Sequence, residues 1–181
     1  MAYFVFVDNS NVWIEGKVAS AVTKGQATTA VEAHDIGVED GGWRIDFGKL
    51  LNYVVDGNLS DIKCSNIYGS VPPQNDSLWA AATAANFAVN TEERNAANKE
   101  KRVDTNIVCD VMENLYTESS EGDIFVLVVG DGDYIPAVER IKKANRMVYV
   151  AFWNNISNEL RAKADKFIDL TPDIARITYV G

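Results

Sequence analysis

The chain has 181 residues, of which 47% are hydrophobic and 24% charged, so it can form one domain around a single core. Its 17 basic and 26 acidic residues give a formal charge of −9, which excludes a generally basic nucleic-acid coat. One histidine and two cysteines are too few for a disulfide framework or a zinc site. The sequence has no apolar run of the roughly 18 residues that span a bilayer, and its N-terminus is not typical of a signal peptide. We therefore expect a single domain over residues 1–181 of a cytoplasmic protein without membrane contact.

The first part of the chain is predicted to begin with a buried strand over residues 3–7, because a short continuous apolar run is typical of a strand covered on both faces. A helix is expected over residues 12–24, broken at Gly16 and ended by Gly25. The segment 26–43 is polar and lacks periodicity, so we interpret it as an insertion or loop. A helical apolar stripe over residues 45–55 and a strand over residues 63–71 follow.

The middle of the chain is predicted to continue the alternation of helices and strands. An alanine-rich helix starts at Asp76 or Ser77, and a brief strand covers residues 87–89. The charged segment 91–102 is interpreted as a mobile connection. Apolar residues at helical spacing then predict a helix over residues 103–115.

The last part contains the strongest predicted strand, residues 123–129, followed by a glycine- and aspartate-rich turn over residues 130–134. Pro136 fits the first turn of the next helix. The remaining predictions are a strand at 147–152, a helix at 157–164 and a strand at 167–170. Strands that alternate with helices and are apolar throughout predict a mostly parallel sheet with helices on both faces.

Four aspartates are predicted to meet at one edge of this sheet. Asp8 is the first polar residue after the first strand, and Asp131 and Asp133 follow the strand at 123–129. Asp104 opens the helix that leads into that strand. In a parallel sheet all of these positions lie at the same edge. Ligands bind at this edge in the crevice between two neighbouring strands whose connections run in opposite directions, the topological switch point of the sheet. If the first and fourth strands are neighbours, the carboxylates share one crevice.

Such a cluster favours a bound cation. Two carboxylates about 5 Å apart repel each other by roughly 3 kcal/mol at an effective dielectric constant near 20. Oxygen ligands without nearby histidine or cysteine favour Mg²⁺ or Mn²⁺ over zinc. These are the ingredients of metal-assisted phosphodiester hydrolysis, in which Asn11 could orient a water molecule or a phosphate.

Each acidic residue also has a simpler interpretation. Asp8 could cap the first helix, and residues 130–133 could form an ordinary turn. Asp104 could complement a helix dipole. A phosphotransfer role for Asp8 as nucleophile is disfavoured, since Ser10 stands where a second acid would be needed. The metal-site hypothesis depends on the convergence of the acids at one edge.

Several segments together resemble a known family. VFVDNSN, KRVDTNIVCD and VGDGDYIPAVERIKKAN are similar to the NYN domain family, the PIN-like ribonucleases that include LabA-type proteins. SNELRAKADKFIDL resembles the closing helix and strand of that family, so the likeness covers most of residues 3–170 apart from 26–43. The resemblance implies a PIN-like, Rossmann-like three-layer α/β/α sandwich with a ribonuclease site that depends on Mg²⁺ or Mn²⁺.

The resemblance also implies roles for individual residues. The metal ligands and catalytic acids that it implies are Asp8, Asp104, Asp131 and Asp133, with Asn11 as their catalytic and substrate-binding partner. Asp110 follows Asp104 by six residues and so points to a different face of the helix; we expect it to orient the Asp8 loop or Asn11. Val129 and Tyr134 stand where the family usually has serine and phenylalanine.

A polyanionic substrate would need positive charge near these acids. The basic residues just before Asp104 are expected to bind RNA phosphates: Lys99, Lys101 and Arg102. Single-stranded RNA is the expected substrate. The net charge of −9 keeps open an alternative, a non-catalytic regulator with the same fold that binds RNA, a nucleotide or a protein. The sequence leaves the oligomeric state open, including a homo-oligomer.

Overall fold

The computed structural model describes residues 1–71, 76–93 and 100–180. The strands in these ranges are β1 (Tyr3–Asp8), β2 (Ile62–Val71), β3 (Ala88–Glu93), β4 (Ile124–Val128), β5 (Met147–Phe152) and β6 (Lys166–Asp169). The α-helices are α1 (Asn9–Thr23), α2 (Ala30–Ile36), α3 (Phe47–Val54), α4 (Asp76–Ala84), α5 (Glu100–Thr117), α6 (Ile135–Lys143), α7 (Asn158–Lys163) and α8 (Ile174–Ile177). Two short 3-10 helices cover Leu59–Asp61 and Gly132–Tyr134.

The six strands form one parallel sheet in the order β3-β2-β1-β4-β5-β6. Every residue of β1 and β4 is buried, because these central strands are covered on both faces. The rings of Phe4 and Phe125 stack across the β1–β4 pair with their centroids 4.9 Å apart. Helices α1 and α5 both pack against β1 and β2, from opposite sides of the sheet. The predicted three-layer α/β/α sandwich is confirmed.

The strand order determines where a ligand can bind. The chain moves from β1 outward to β3, and α5 then returns it to β4 on the other side of β1. Val7 of β1 pairs with Val128 of β4, so both strands end at the same level. Their carboxyl ends therefore form the switch point of the sheet, where parallel α/β folds bind ligands.

The segment 26–43 differs from the expected loop, because it contains helix α2. The side chain of Thr29 accepts a hydrogen bond from the backbone N–H of Glu32, which satisfies a free donor in the first turn. Gly37 ends the helix with φ +67°, a conformation that favours glycine.

The same segment is fixed to α1 along its length. Lys17 forms an ion pair of 2.7 Å with Glu39. Asp40 accepts hydrogen bonds of 2.6 Å from Ser20 and from Lys24. These contacts make the segment a part of the α1 layer of the molecule.

Other elements differ from the sequence prediction at their bounds. β3 extends to Glu93 and α5 begins at Glu100, so both ends of the predicted mobile connection 91–102 belong to regular elements, and residues 94–99 lie outside the described residues. α1 continues through Gly16 without a break, and α8 was not predicted. None of the helices in the described ranges is long and apolar enough to cross a membrane.

Candidate functional site

A pocket of about 260 Å³ lies at the carboxyl ends of β1 and β4. It is lined by Asp8 from the end of β1, Asn11 from α1, Asp104 from α5 and Asp131 from the turn after β4. We call it the aspartate pocket. The structure thus brings together side chains that are up to 123 residues apart, as the placement of β1 beside β4 requires.

Asp8 is the most deeply buried acid of the aspartate pocket, with 4% of its surface exposed. Its Oδ1 atom accepts a hydrogen bond of 3.2 Å from the backbone N–H of Asn11, so Asp8 caps α1 as well as lining the pocket. Burial raises the pKa of this carboxyl to about 6, and the charges of Asp104 and Asp131 add to the effect. The pocket therefore disfavours the charged form of Asp8, and a cation bound beside it would lower the pKa again.

Tyr134 connects two of the acids. Its buried hydroxyl donates a hydrogen bond of 2.9 Å to Oδ1 of Asp104 and lies 3.3 Å from Oδ2 of Asp8. Burial, followed by the charges of Asp8 and Asp104, raises the pKa of Tyr134, so the hydroxyl remains a donor. The sequence identified Tyr134 only as an aromatic residue in place of phenylalanine, and its phenol group is the signal that could have indicated this role.

Asn11 holds the third acid. Its side-chain Nδ2 atom donates a hydrogen bond of 2.7 Å to Oδ2 of Asp131. This contact joins the start of α1 to the turn after β4. Asn11 thus orients a carboxylate of the aspartate pocket, whereas the sequence suggested that it orients water or phosphate.

Asp133 lies outside the aspartate pocket. It is exposed and lines a neighbouring depression together with Asp104 and Tyr134. The 3-10 helix Gly132–Tyr134 is the cause, since it buries Tyr134 and turns the preceding side chain outward. The structure brings three of the four predicted acids into one pocket.

Asp110 also differs from the expectation. Its Oδ2 atom accepts a hydrogen bond of 2.6 Å from the hydroxyl of Tyr68, whereas a contact to Asn11 or the Asp8 loop was expected. Tyr68 lies on β2 beside Asp8 of β1, and α5, which carries Asp110, packs against both strands. Asp110 therefore supports the strand next to the pocket.

The predicted phosphate-binding residues cannot be located within the described part of the chain. Lys99 lies outside the described residues, as do the side chains of Lys101 and Arg102. Their role stays a prediction from the sequence.

The rim of the aspartate pocket contains residues that the sequence analysis missed. They are Ser10, Ile14, Glu15, Ser70 and Val103. Glu15 is fixed by two neighbours, since its Oε2 atom accepts a hydrogen bond from Asn155 and lies 3.0 Å from Nε2 of His34. Helix α2 thus contacts a residue of the pocket rim through His34.

The donor atoms of the aspartate pocket fit a hard divalent cation. Its side chains offer carboxylate, amide and hydroxyl oxygens, the type of ligand that Mg²⁺ and Mn²⁺ prefer, and burial disfavours the charged form of Asp8. Within residues 1–71, 76–93 and 100–180, no three His, Cys, Asp or Glu side chains are close enough to hold one ion together. Binding would therefore require the acids to move closer together than they lie in this structure.

Comparison with known proteins agrees with this architecture. The family profile of the NYN domain matches residues 4–171. LabA, the low amplitude and bright protein of Synechococcus elongatus, is 28% identical over 141 residues, which cover 71% of this chain and 74% of LabA. A crystal structure of a Vibrio parahaemolyticus protein of unknown function has the same fold, with a TM-score of 0.68 and 17% identity over 98% of this chain and 96% of the other. The resemblance noted in the sequence is confirmed, and the chain belongs to the NYN domain family.

Proposed function

We propose that this protein is a metal-dependent endoribonuclease that hydrolyses phosphodiester bonds in single-stranded RNA. Membership of the NYN family supports a PIN-like nuclease. The observation that carries the proposal is the gathering of Asp8, Asp104 and Asp131 around one pocket at the switch point of the sheet, since phosphodiester hydrolysis at carboxylate clusters uses divalent cations.

Asp8, Asp104 and Asp131 would hold the Mg²⁺ or Mn²⁺. When bound, such a cation supplies a water nucleophile at neutral pH and stabilises negative charge on the phosphate. The burial of Asp8 keeps its carboxylate poorly solvated, which strengthens its attraction to a cation. Asn11 keeps Asp131 turned towards the pocket, and Ile14 and Val103 cover apolar parts of its wall.

The Asp131→Asn substitution tests the proposal most directly. Asparagine has nearly the same shape as aspartate, and because Asp131 is exposed, the change leaves the core untouched. It removes one negative oxygen from the pocket, and we expect Mn²⁺-dependent cleavage of single-stranded RNA to fall by at least about 100-fold. Cleavage of a labelled oligonucleotide, resolved on a denaturing gel, gives the rates.

Asp35→Asn is the matched control. Asp35 is an exposed acid of α2 outside the lining of the aspartate pocket, and the variant should cleave at the wild-type rate. Equal rates for the Asp131→Asn variant and the wild type would contradict the proposed site. A wild-type protein that cleaves neither RNA nor DNA with Mg²⁺ or Mn²⁺ would refute the enzyme itself.

One observation favours a second candidate, a non-catalytic NYN-fold regulator. The hydroxyl of Tyr134 engages Asp104 and reaches Asp8, so two of the acids have a neutral partner without any ion. The regulator would bind RNA, a nucleotide or a protein. It would keep its activity in cells after the Asp131→Asn change, whereas the nuclease would lose it.

A further inference from the structure

A second depression, of about 370 Å³, lies beside the aspartate pocket. We call it the Cys109 depression, and its lining residues are Asp104, Thr105, Val108, Cys109, Asp133 and Tyr134. The first four lie on α5 and the other two on the 3-10 helix after β4. The depression is therefore built on α5, which supplies Asp104 to the aspartate pocket, and on the 3-10 helix that directly follows Asp131.

The two cavities share a wall. Asp104 lines both of them, and Tyr134 donates its hydroxyl hydrogen bond to Asp104 while it lines the Cys109 depression. A nucleic-acid strand whose phosphate lies at Asp104 must continue on both sides of that phosphate. The Cys109 depression is the neighbouring space on one of these sides.

The floor of the depression is apolar. Val108 is half-buried against the hydrophobic core, and Thr105 and Cys109 lie one helical turn apart on the same face of α5. Such a floor suits the flat face of a nucleobase, since every base offers an apolar ring face to protein side chains.

The polar groups at the edge of the depression select against phosphate. Asp133 is acidic and repels a phosphodiester, and it lies outside the aspartate pocket, where a bound cation would offset such repulsion. Asp133 is exposed, and the structure gives it no hydrogen-bond or ion-pair partner within the described ranges. A carboxylate accepts hydrogen bonds from amino groups, which cytosine, adenine and guanine carry.

We propose that the Cys109 depression is a second substrate subsite that takes an amino-bearing nucleobase of the nucleotide next to the phosphate bound at Asp104. The proposal rests on the proposed function for the identity of the strand as RNA. The base packs against Val108 and Cys109, and Asp133 accepts a hydrogen bond from its amino group.

Alkylation of Cys109 by N-ethylmaleimide tests the subsite without relying on cleavage. Cys109 is exposed, whereas burial raises the pKa of Cys64 to about 11, so Cys64 reacts slowly and serves as an internal reference. The full chain is labelled with and without saturating oligocytidylate, with Ca²⁺ in place of Mn²⁺ to keep the strand intact. We expect RNA to slow the labelling of Cys109 by about fivefold or more, as measured by peptide mass spectrometry, and Cys64 to be unaffected.

A Thr117→Cys variant provides the matched control, because Thr117 is exposed on α5 two turns beyond Cys109. Its added thiol should be labelled at the same rate with and without RNA. Equal slowing at both positions would overturn the subsite, because it would indicate general coverage of α5. Oligouridylate has no amino groups and should protect Cys109 less than oligocytidylate does; equal protection would overturn the contact with Asp133.

The outcomes separate this inference from the proposed function. Bound oligocytidylate, detected by fluorescence anisotropy, that leaves Cys109 unprotected would overturn the subsite and leave the ribonuclease standing. Protection of Cys109 by a strand that the protein never cleaves with Mn²⁺ would support the subsite and refute the nuclease. Failure to bind any single-stranded RNA would refute both.

Discussion

The hydroxyl of Tyr134 stands between the two most buried acids of the aspartate pocket. It donates to Asp104 at 2.9 Å and lies 3.3 Å from Asp8, so a neutral donor partly replaces the water that both carboxylates lose on burial. A cation bound as proposed would compete with this hydroxyl for the same carboxylate oxygens. The phenylalanine that is usual in the family would leave them without it.

The Tyr134→Phe variant should separate the stabilisation of the buried carboxylates from the competition with a cation. Without metal we expect the free energy of unfolding to fall by about 1 to 3 kcal/mol, because a buried carboxylate loses a donor. With Mn²⁺ we expect a larger rise in melting temperature than in the wild type, since no hydroxyl competes for Asp8 and Asp104. Urea denaturation in EDTA and thermal unfolding across a Mn²⁺ titration measure the two quantities.

Tyr53→Phe is the matched control for that experiment. Tyr53 donates a hydrogen bond of 2.7 Å to Asp173, outside the aspartate pocket, so its loss should lower stability without changing the response to Mn²⁺. An identical Mn²⁺ response of the Tyr134→Phe variant and the wild type would contradict the competition between hydroxyl and ion.

At the scale of single residues, the sequence predicts positions better than side-chain directions. Asp8 and Asp131 follow central apolar strands, and the rule for parallel sheets is sufficient to place both at one edge. The split between Tyr134 and Asp133 depends on the 3-10 helix Gly132–Tyr134. The alternation of strands and helices along the sequence does not predict such a turn, so Asp133 remained among the expected ligands.

Helix α1 packs closely against two tryptophans because Gly16 has no side chain. Gly16 lies in the middle of this helix and is buried. A Cβ atom at Gly16 would overlap the ring of Trp43 and lie 2.8 Å from Cζ2 of Trp153. The glycine therefore permits the close approach of two tryptophans, which themselves pack edge to face at 5.6 Å, and does not mark the helix break that the sequence suggested.

The Gly16→Ala variant should be less stable despite its better helix propensity. Alanine stabilises a helix interior by up to about 1 kcal/mol relative to glycine, but overpacking a core contact costs about 1 to 3 kcal/mol. We expect a net loss in the free energy of unfolding, measured by urea denaturation.

Gly48→Ala in α3 supplies the opposite case. A Cβ atom there makes only an ordinary contact of 3.5 Å with Oδ1 of Asp46, so this variant should equal or exceed the wild type in stability. A Gly16→Ala variant as stable as the Gly48→Ala variant would show that the tryptophans move aside freely.

The elements that the sequence missed have physical reasons. α2 is short, so it shows little periodicity, although the threonine and glycine at its ends carry capping signals that could have identified it. β3 reaches into charged residues up to Glu93 because it is an edge strand of the sheet, where charged side chains are common. The central strands were predicted well because burial on both faces leaves one unambiguous pattern.

At the scale of the whole molecule, the two edges of the sheet shift the pKa values of their buried acids in opposite directions. At the amino edge, Asp123 accepts hydrogen bonds of 2.7 Å from the N–H of Ala2 and 2.8 Å from that of Ser120. Burial opposes ionisation there, but these donors lower the pKa of Asp123 overall, so its charge stabilises the fold. At the carboxyl edge, burial raises the pKa of Asp8, so its charge destabilises the fold.

The Asp8→Asn variant should therefore gain stability as it loses function. In the wild type the pKa of Asp8 rises from 3.8 to about 6 on folding, so the folded state binds the proton more tightly. Ionisation then removes stability as the pH rises from about 4 through 6, by up to roughly 3 kcal/mol. Asparagine cannot ionise, so in EDTA we expect the variant to match the wild type near pH 4 and to exceed it at pH 8.

Urea denaturation of both proteins across this pH range measures the difference, which isolates Asp8 from the other acids. The Asp35→Asn variant should follow the wild-type profile, because Asp35 is exposed on α2. Adding Mn²⁺ at pH 8 should raise the stability of the wild type and close the gap, since only the wild type keeps the full set of carboxylates. A variant that is less stable than the wild type at pH 8 in EDTA would mean that the hydrogen bond from the N–H of Asn11 to Asp8 outweighs the cost of burying the charge.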